Sequence, residues 1–178
     1  MSRAATTPDG EFFLSDLDPA TTPPRIPLPL RAYAVGRTFR ALWIYRRHGW
    51  SVAHLYLRRL RPGPGSAALA ALPAGTALRL ARREVFASQL VHRTVLPDGL
   101  CLPRSLALAT YLSALGLPAQ VTIARLRTVA MPKNSFHSWT ELYGTVLNDN
   151  PDVQLGYTVL QRVAASEAPA APRARSRP

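Results

Sequence analysis

Only one cysteine, Cys101, stands in the 178 residues, so no internal disulfide can form and no oxidising compartment is implied. Acids are scarce: 10 Asp and Glu stand against 22 basic residues, for a net charge of +12. Lysine is scarcer still, because all but one of the basic residues are Arg. With the abundant Ala, Pro and Leu this points to a GC-rich coding sequence, and part of the basicity reflects that bias. The stretch from Arg25 to Arg61 nevertheless carries nine Arg and no Asp or Glu. It favours an acidic peptide, a nucleic acid or an anionic lipid surface; a solvated helix face is the plainer reading. No apolar run approaches the roughly 20 residues of a membrane span. Met1 to Ser15 has early acids and lacks the apolar core of a secretory signal. A cytoplasmic location is expected, with peripheral membrane contact left open.

What is present is a folding composition, 47% hydrophobic, in a length that suits one domain with a helical extension. The 17 prolines cluster at the two ends and in Arg61-Pro62-Gly63-Pro64-Gly65. Residues 1–24 read as a flexible lead-in, with Phe12-Phe13-Leu14 as a short docking segment. Residues 25–95 form a helical, Arg-rich region. Apolar residues recur helically from 28 to 60, Gly49 divides that stretch, and a second helix runs from Thr76, as its cap, to His92. Residues 96–165 change character. A helix from Leu102 to Leu115, with Pro103 near its start and Gly116 past its end, precedes strands at Ala119–Leu126, Phe136–Tyr143, Thr145–Asn148 and Tyr157–Val163. Met131–Ser135 reads as a loop, and 166–178 as a disordered tail. Helix first, then antiparallel strands, is an α+β order.

Three residues carry the chemistry. Cys101 stands at a predicted helix start, where free amides and the positive end of the dipole would stabilise a thiolate and an oxyanion. His137 lies inside a strand, where an imidazole can be held rigidly. Asp149 follows the next turn and could accept the second imidazole N–H, fixing the tautomer; Asp152, three residues on, could serve instead. Trp139 and Glu141 share the His137 face of their strand. Trp139 either shields the site, lines the substrate cleft or packs in the core. Gln89 and Asn148 are potential oxyanion donors. His48, His54 and His92 lack partners spaced as metal ligands, so neither a metal nor a cofactor is expected.

The run Cys101-Leu102-Pro103-Arg104-Ser105-Leu106-Ala107-Leu108, then Phe136-His137-Ser138-Trp139-Thr140-Glu141, then Leu147-Asn148-Asp149, closely resembles the lasso peptide biosynthesis B2 proteins. These are transglutaminase-like cysteine peptidases with the approximate pattern C-L-x-R-S-L-A-L, H-A-W-x-E, L-N-D. The resemblance covers about residues 90–163. Ser138 stands where Ala is usual, and the loop Arg127–Ser135 lacks the common Pro-Phe before the histidine.

The resemblance implies a transglutaminase-like or papain-like core, a helix packed on a small antiparallel sheet, preceded here by the helical region. It implies hydrolytic removal of a leader peptide from a ribosomally made precursor, with Cys101 as nucleophile, His137 as base and then acid, and Asp149 as orienter. Arg104 and Ser105 recur in the motif, Ser105 as a packing or hydrogen-bonding residue and Arg104 as a salt-bridging one or a neutraliser of a carboxylate. A separate ATP-dependent macrolactam cyclase then closes the ring. Relatives need the leader presented by a small recognition domain with a β-sheet edge. Residues 1–95 read as helices without those strands, so the expected partners are the precursor and a separate recognition protein (the B1 protein), with the cyclase as a further one. Nucleic acid is not expected. Two other readings are amide transfer to an amine through the same thioester, and a non-enzymatic basic binding module in which Cys101 is incidental.

Overall fold

The computed structural model describes residues 22–127 and 136–166. The docking segment at Phe12-Phe13-Leu14, the loop 131–135 and nearly all of the lead-in and tail lie outside them. Proline and glycine set the breaks between helices. Helix α1 (Leu28–His48) starts behind Pro27, with Pro29 in the first turn, where a missing amide costs nothing. It ends in Arg46, Arg47 and His48, whose charges suit the carbonyl end of the dipole. Gly49 separates it from α2 (Trp50–Arg58), as the sequence predicts. Beyond Pro62–Gly65 come a single turn, α3 (Ala67–Ala70), and the long α4 (Ala74–Val95).

The start of α4 differs from expectation. Pro73, not Thr76, occupies the cap position, and its carbonyl accepts the Ala77 N–H at 2.9 Å. Proline holds its own φ at −55° with no need of a capping side chain, so the helix begins two residues before Thr76. Thr76 is buried in the first turn, where its hydroxyl accepts a hydrogen bond from Arg79 at 3.2 Å.

Helix α5 (Cys101–Ala114) is the centre of the molecule. Every residue from Ser105 to Ala114 is buried, the pattern of a helix covered on all sides. Its C-terminus closes through Gly116, at φ +90°: Gly116 N–H donates to the Ser113 carbonyl and Leu117 N–H to the Leu112 carbonyl, both at 3.0 Å. That left-handed position favours glycine, and the two bonds satisfy carbonyls the helix end would leave free.

The strands then follow: β1 (Ala119–Leu126), β2 (Phe136–Leu142), β3 (Thr145–Val146) and, after the short turn α6 (Val153–Gly156), β4 (Tyr157–Ala164). They form one antiparallel sheet in the order β3-β2-β1-β4. Helices followed by a four-stranded antiparallel sheet make the α+β arrangement that the element order predicts. The third strand is shorter than expected. Leu147 N–H still reaches the Thr140 carbonyl at 3.0 Å, but the next rung is taken by a side chain, because Asn148 Oδ1 accepts the Thr140 N–H at 2.7 Å.

Alternation along β2 gives the sheet two unlike faces. Thr140 and Leu142 face α5, and Leu142 joins a core cluster that runs from Ile26 through α1, α4 and α5 to Val163. His137, Trp139 and Glu141 face the other way, where Ala124, Trp139 and Val146 form a second small cluster with Val153, Tyr157 and Val159. Helices α1 and α4 cover α5 on the side away from β1 and β2.

One charge is sunk into the main core. Glu84 of α4, 2% exposed, accepts the Tyr111 hydroxyl from α5 at 3.0 Å and an Arg31 N–H from α1 at 2.8 Å. Three helices are therefore tied at one carboxylate. Burial, and then the negative charge of Glu84, push the Tyr111 hydroxyl well above its usual range, so it stays a donor at all working pH. Tyr111→Phe should lower stability by about 1.5–3 kcal/mol, the worth of a hydrogen bond to a buried charge, as measured by urea unfolding.

Candidate active site

Cys101 is the first residue of α5, and Leu100 before it is extended. Pro103 has no amide to offer in that first turn, so the amides of Cys101 and Leu102 are the ones left there without helical partners. The thiol is half-buried and is the chain's single cysteine. The Tyr45 hydroxyl of α1 is pushed up by burial and then by the charge of Cys101.

His137, near the start of β2, directs Nε2 at Asp149 Oδ2, 2.6 Å away. With an ionised carboxylate as acceptor, Nε2 carries the hydrogen and Nδ1 is left as the basic nitrogen. Of the two aspartates, Asp149 meets the imidazole, whereas Asp152 occupies the N-cap position of α6, exposed and without a capping side-chain bond. Asp149 also accepts the Asn150 N–H on Oδ1 at 2.8 Å and lies 3.6 Å from an Arg104 Nη. Arg104 stands one turn beyond Cys101, so a line of contacts runs from the first turn of α5 through Arg104 and Asp149 to His137.

A polar seam joins the helix to the strand behind that line. The Ser105 hydroxyl is fully buried, within reach of both the Cys101 carbonyl (2.9 Å) and the Ser138 carbonyl (3.1 Å), and shares its one hydrogen between them. It accepts a bond from Asn148 Nδ2 at 3.2 Å, and the Thr140 hydroxyl donates to the Ser105 carbonyl at 3.0 Å. Ser105 is thus committed to holding the Cys101 turn beside the residue that follows His137. Asn148, read from sequence as an oxyanion donor, spends both ends of its amide on the same joint. Gln89 lines a shallow pocket with Arg82, Val85, Phe86, Leu90 and Arg93 of α4, and neither Cys101 nor His137 is in its wall.

The imidazole is held by rings. Its centroid lies 6.1 Å from the Trp139 indole and 5.5 Å from the Tyr157 ring, which in turn meet edge-on at 6.1 Å. Trp139 is fully buried, and of the roles its sequence position left open, burial favours packing against His137. Its indole N–H donates to Glu141 Oε1 at 2.6 Å. Burial pushes the Glu141 carboxyl up, but hydrogen bonds from Trp139 and Gln120 and the Arg162 guanidinium outweigh that and hold it below its ordinary 4.5.

His92, which the sequence gives no role, lies under the loop that delivers Cys101. It is 4% exposed, and its Nε2 has no hydrogen-bond partner. Burial, then Arg104 and Arg93, press its pKa down, so the ring is neutral at physiological pH. A methyl group at Gly99 would come within 2.5 Å of Nε2 and 3.0 Å of the Leu96 carbonyl. Only glycine lets the loop pass this close, two residues before the thiol. Among the described residues, no three His, Cys, Asp or Glu side chains gather in a way that could hold a metal ion, and no helix is long and apolar enough to cross a membrane.

Two outcomes follow from this geometry. Gly99→Ala forces the His92 ring or the Leu96 carbonyl aside and should cost about 1–3 kcal/mol in thermal unfolding, as overpacking does elsewhere. Because the Glu141 carboxyl is depressed in the folded chain, it contributes stability above pH 4.5 that is lost as pH falls through its lower folded value. Glu141→Gln should therefore flatten the acid limb of stability against pH, measured by urea unfolding at stepped pH.

No curated protein and no solved structure matches the chain. A family model does, described as the transglutaminase-like superfamily, over residues 35–162. The match begins inside α1 and ends inside β4, so it takes in the helices packed behind Cys101 as well as the sheet that carries His137. Such folds are commonly those of cysteine peptidases and acyl transferases, and a single thiol at a helix start opposite a strand histidine suits that chemistry. With more than half its length matched, this chain belongs to the transglutaminase-like superfamily.

Proposed function

We propose that this chain is the leader peptidase of lasso peptide maturation, a cysteine peptidase working through Cys101, His137 and Asp149. The observation that carries the reading is the 2.6 Å bond from His137 Nε2 to Asp149, which leaves Nδ1 free to serve as base. The resemblance of the runs around each of the three to the lasso peptide B2 proteins, described above, is the ground for naming a lasso precursor.

In the proposed cycle His137 takes the Cys101 proton, and the sulfur attacks the carbonyl carbon at the leader–core junction. The oxyanion so formed faces the free amides at the start of α5. His137 then returns the proton to the departing amine, and the core leaves with a new N-terminus while the leader stays as a thioester. Water, deprotonated by the same imidazole, attacks the thioester and frees leader and thiol. Asp149 keeps the imidazole in one tautomer and stabilises its charged form throughout. The released amine is the group that a separate ATP-dependent cyclase joins to an Asp or Glu side chain of the core.

The leader is presented by a separate recognition protein in this reading. Residues 22–100 contain helices and no strand, so they offer no sheet edge to which an extended leader could add. The Arg-rich face of α1 and α2 suits an acidic leader or the recognition protein itself. The whole reaction is placed in the cytoplasm.

Mass spectrometry of a precursor incubated with the protein, with and without the recognition protein, tests this. The expected result is a free core peptide whose formation falls by at least about 10³-fold in Cys101→Ala and in His137→Ala. A cross-linked product in place of free core would assign amide transfer instead. Unchanged processing by Cys101→Ala would rule out thiol catalysis altogether.

A further inference from the structure

We infer that Glu141 is a positioning residue that sets both halves of the His137–Asp149 pair, acting through Trp139 on one side and Gln154 on the other. This rests on the cysteine-catalytic reading above. Glu141 is 1% exposed. Its two oxygens receive four donors, each from a different element around the site. Trp139 Nε1 of β2 reaches Oε1 at 2.6 Å, and Gln154 Nε2 of α6 reaches the same oxygen at 3.2 Å. Gln120 Nε2, directly across on β1, reaches Oε2 at 3.0 Å, and Arg162 Nε of β4 reaches it at 3.3 Å.

Packing alone does not call for a carboxylate here. A buried charge is costly unless fully bonded, and an apolar side chain of similar volume commonly stabilises a fold as well or better. What a carboxylate supplies is direction. The short bond to the indole N–H fixes the Trp139 ring, and that ring with Tyr157 forms the wall against which His137 rests. The bond from Gln154 fixes the turn that carries the aspartate. Within that turn Asp149 Oδ1 accepts the Asn150 N–H, Asn150 Oδ1 accepts the Asp152 N–H at 3.0 Å, and the Asn150 carbonyl accepts the Val153 N–H at 3.0 Å. Gln154 Nε2 also reaches the Gly144 carbonyl at 3.2 Å, tying α6 to the β2–β3 turn. One carboxylate thus sets the rotation of the imidazole's neighbour and the placement of its acceptor.

The single cysteine makes a test independent of substrate. Iodoacetamide alkylation of Cys101, followed from about pH 5 to 9, reports how well the imidazole supports the thiolate. Wild type, Glu141→Gln, Trp139→Phe and His137→Ala are compared, with melting temperature measured for each and kcat and KM measured on the precursor. The inference expects Glu141→Gln and Trp139→Phe to shift the alkylation profile toward that of His137→Ala. It also expects kcat to fall about 10- to 100-fold at little changed KM, the penalty for a misplaced catalytic group. Trp139→Phe keeps a ring but removes the indole donor, so it decides the matter if Glu141→Gln does not fold. A wild-type profile and kcat in the folded variants, with His137→Ala clearly altered, overturns the inference and leaves the catalytic reading standing. A wild-type profile in His137→Ala removes both.

Discussion

The geometry of this molecule depends on a polar joint where an apolar one would be expected. Helix α5 is buried on every side, and most of what surrounds it is Leu, Ala and Val. Yet at its N-terminal half it meets β2 through Ser105, Thr140, Asn148 and the Ser138 carbonyl. Apolar packing is non-directional and would tolerate a helix slid or rotated by a fraction of a turn. Hydrogen bonds with 3 Å lengths do not. The joint therefore converts a general affinity of helix for sheet into one register, and that register puts the first turn of α5 beside the strand residue that bears the imidazole.

The same logic recurs further out, at larger scale. Glu84 draws together α1, α4 and α5 at one carboxylate, and Glu141 draws together β1, β2, β4 and α6 at another. One lies behind the helix and the other lies beyond the sheet. Both are nearly free of solvent, and both are met by neutral donors as well as by Arg. With 21 Arg and few acids in the chain, the carboxylates that are buried are the ones whose charges are used structurally. Among the other guanidinium groups, Arg40 and Arg47 of α1 and Arg58 of α2 are exposed.

Local chemistry made much of this legible before any coordinates. Gly116 past the end of α5, Gly49 between two helices, and alternation in β1 each encode their own conformation, so the element order and the α+β class follow from sequence. The transglutaminase-like character of the stretches around Cys101 and His137 was equally plain. What stayed hidden was whatever depends on distance across the fold. Nothing in the spacing of Asp149 and Asp152 says which carboxylate turns toward the imidazole. Asn148 looks like strand or oxyanion donor until its amide is seen replacing a rung of the ladder and reaching Ser105. Thr76 carries every mark of a helix cap, and Pro73 pre-empts it. Glu84 gives no sign of its buried role, because its partner Tyr111 is 27 positions away.

The order of elements along the chain has a consequence for biosynthesis. Synthesis runs from the N-terminus, so the thiol at position 101 emerges well before the histidine at 137 and the aspartate at 149. In the proposed mechanism the nascent chain lacks its general base until the β2–β3 hairpin closes onto α5. The full catalytic set of the proposed enzyme is thus complete only once residue 149 has been made and the sheet is in place.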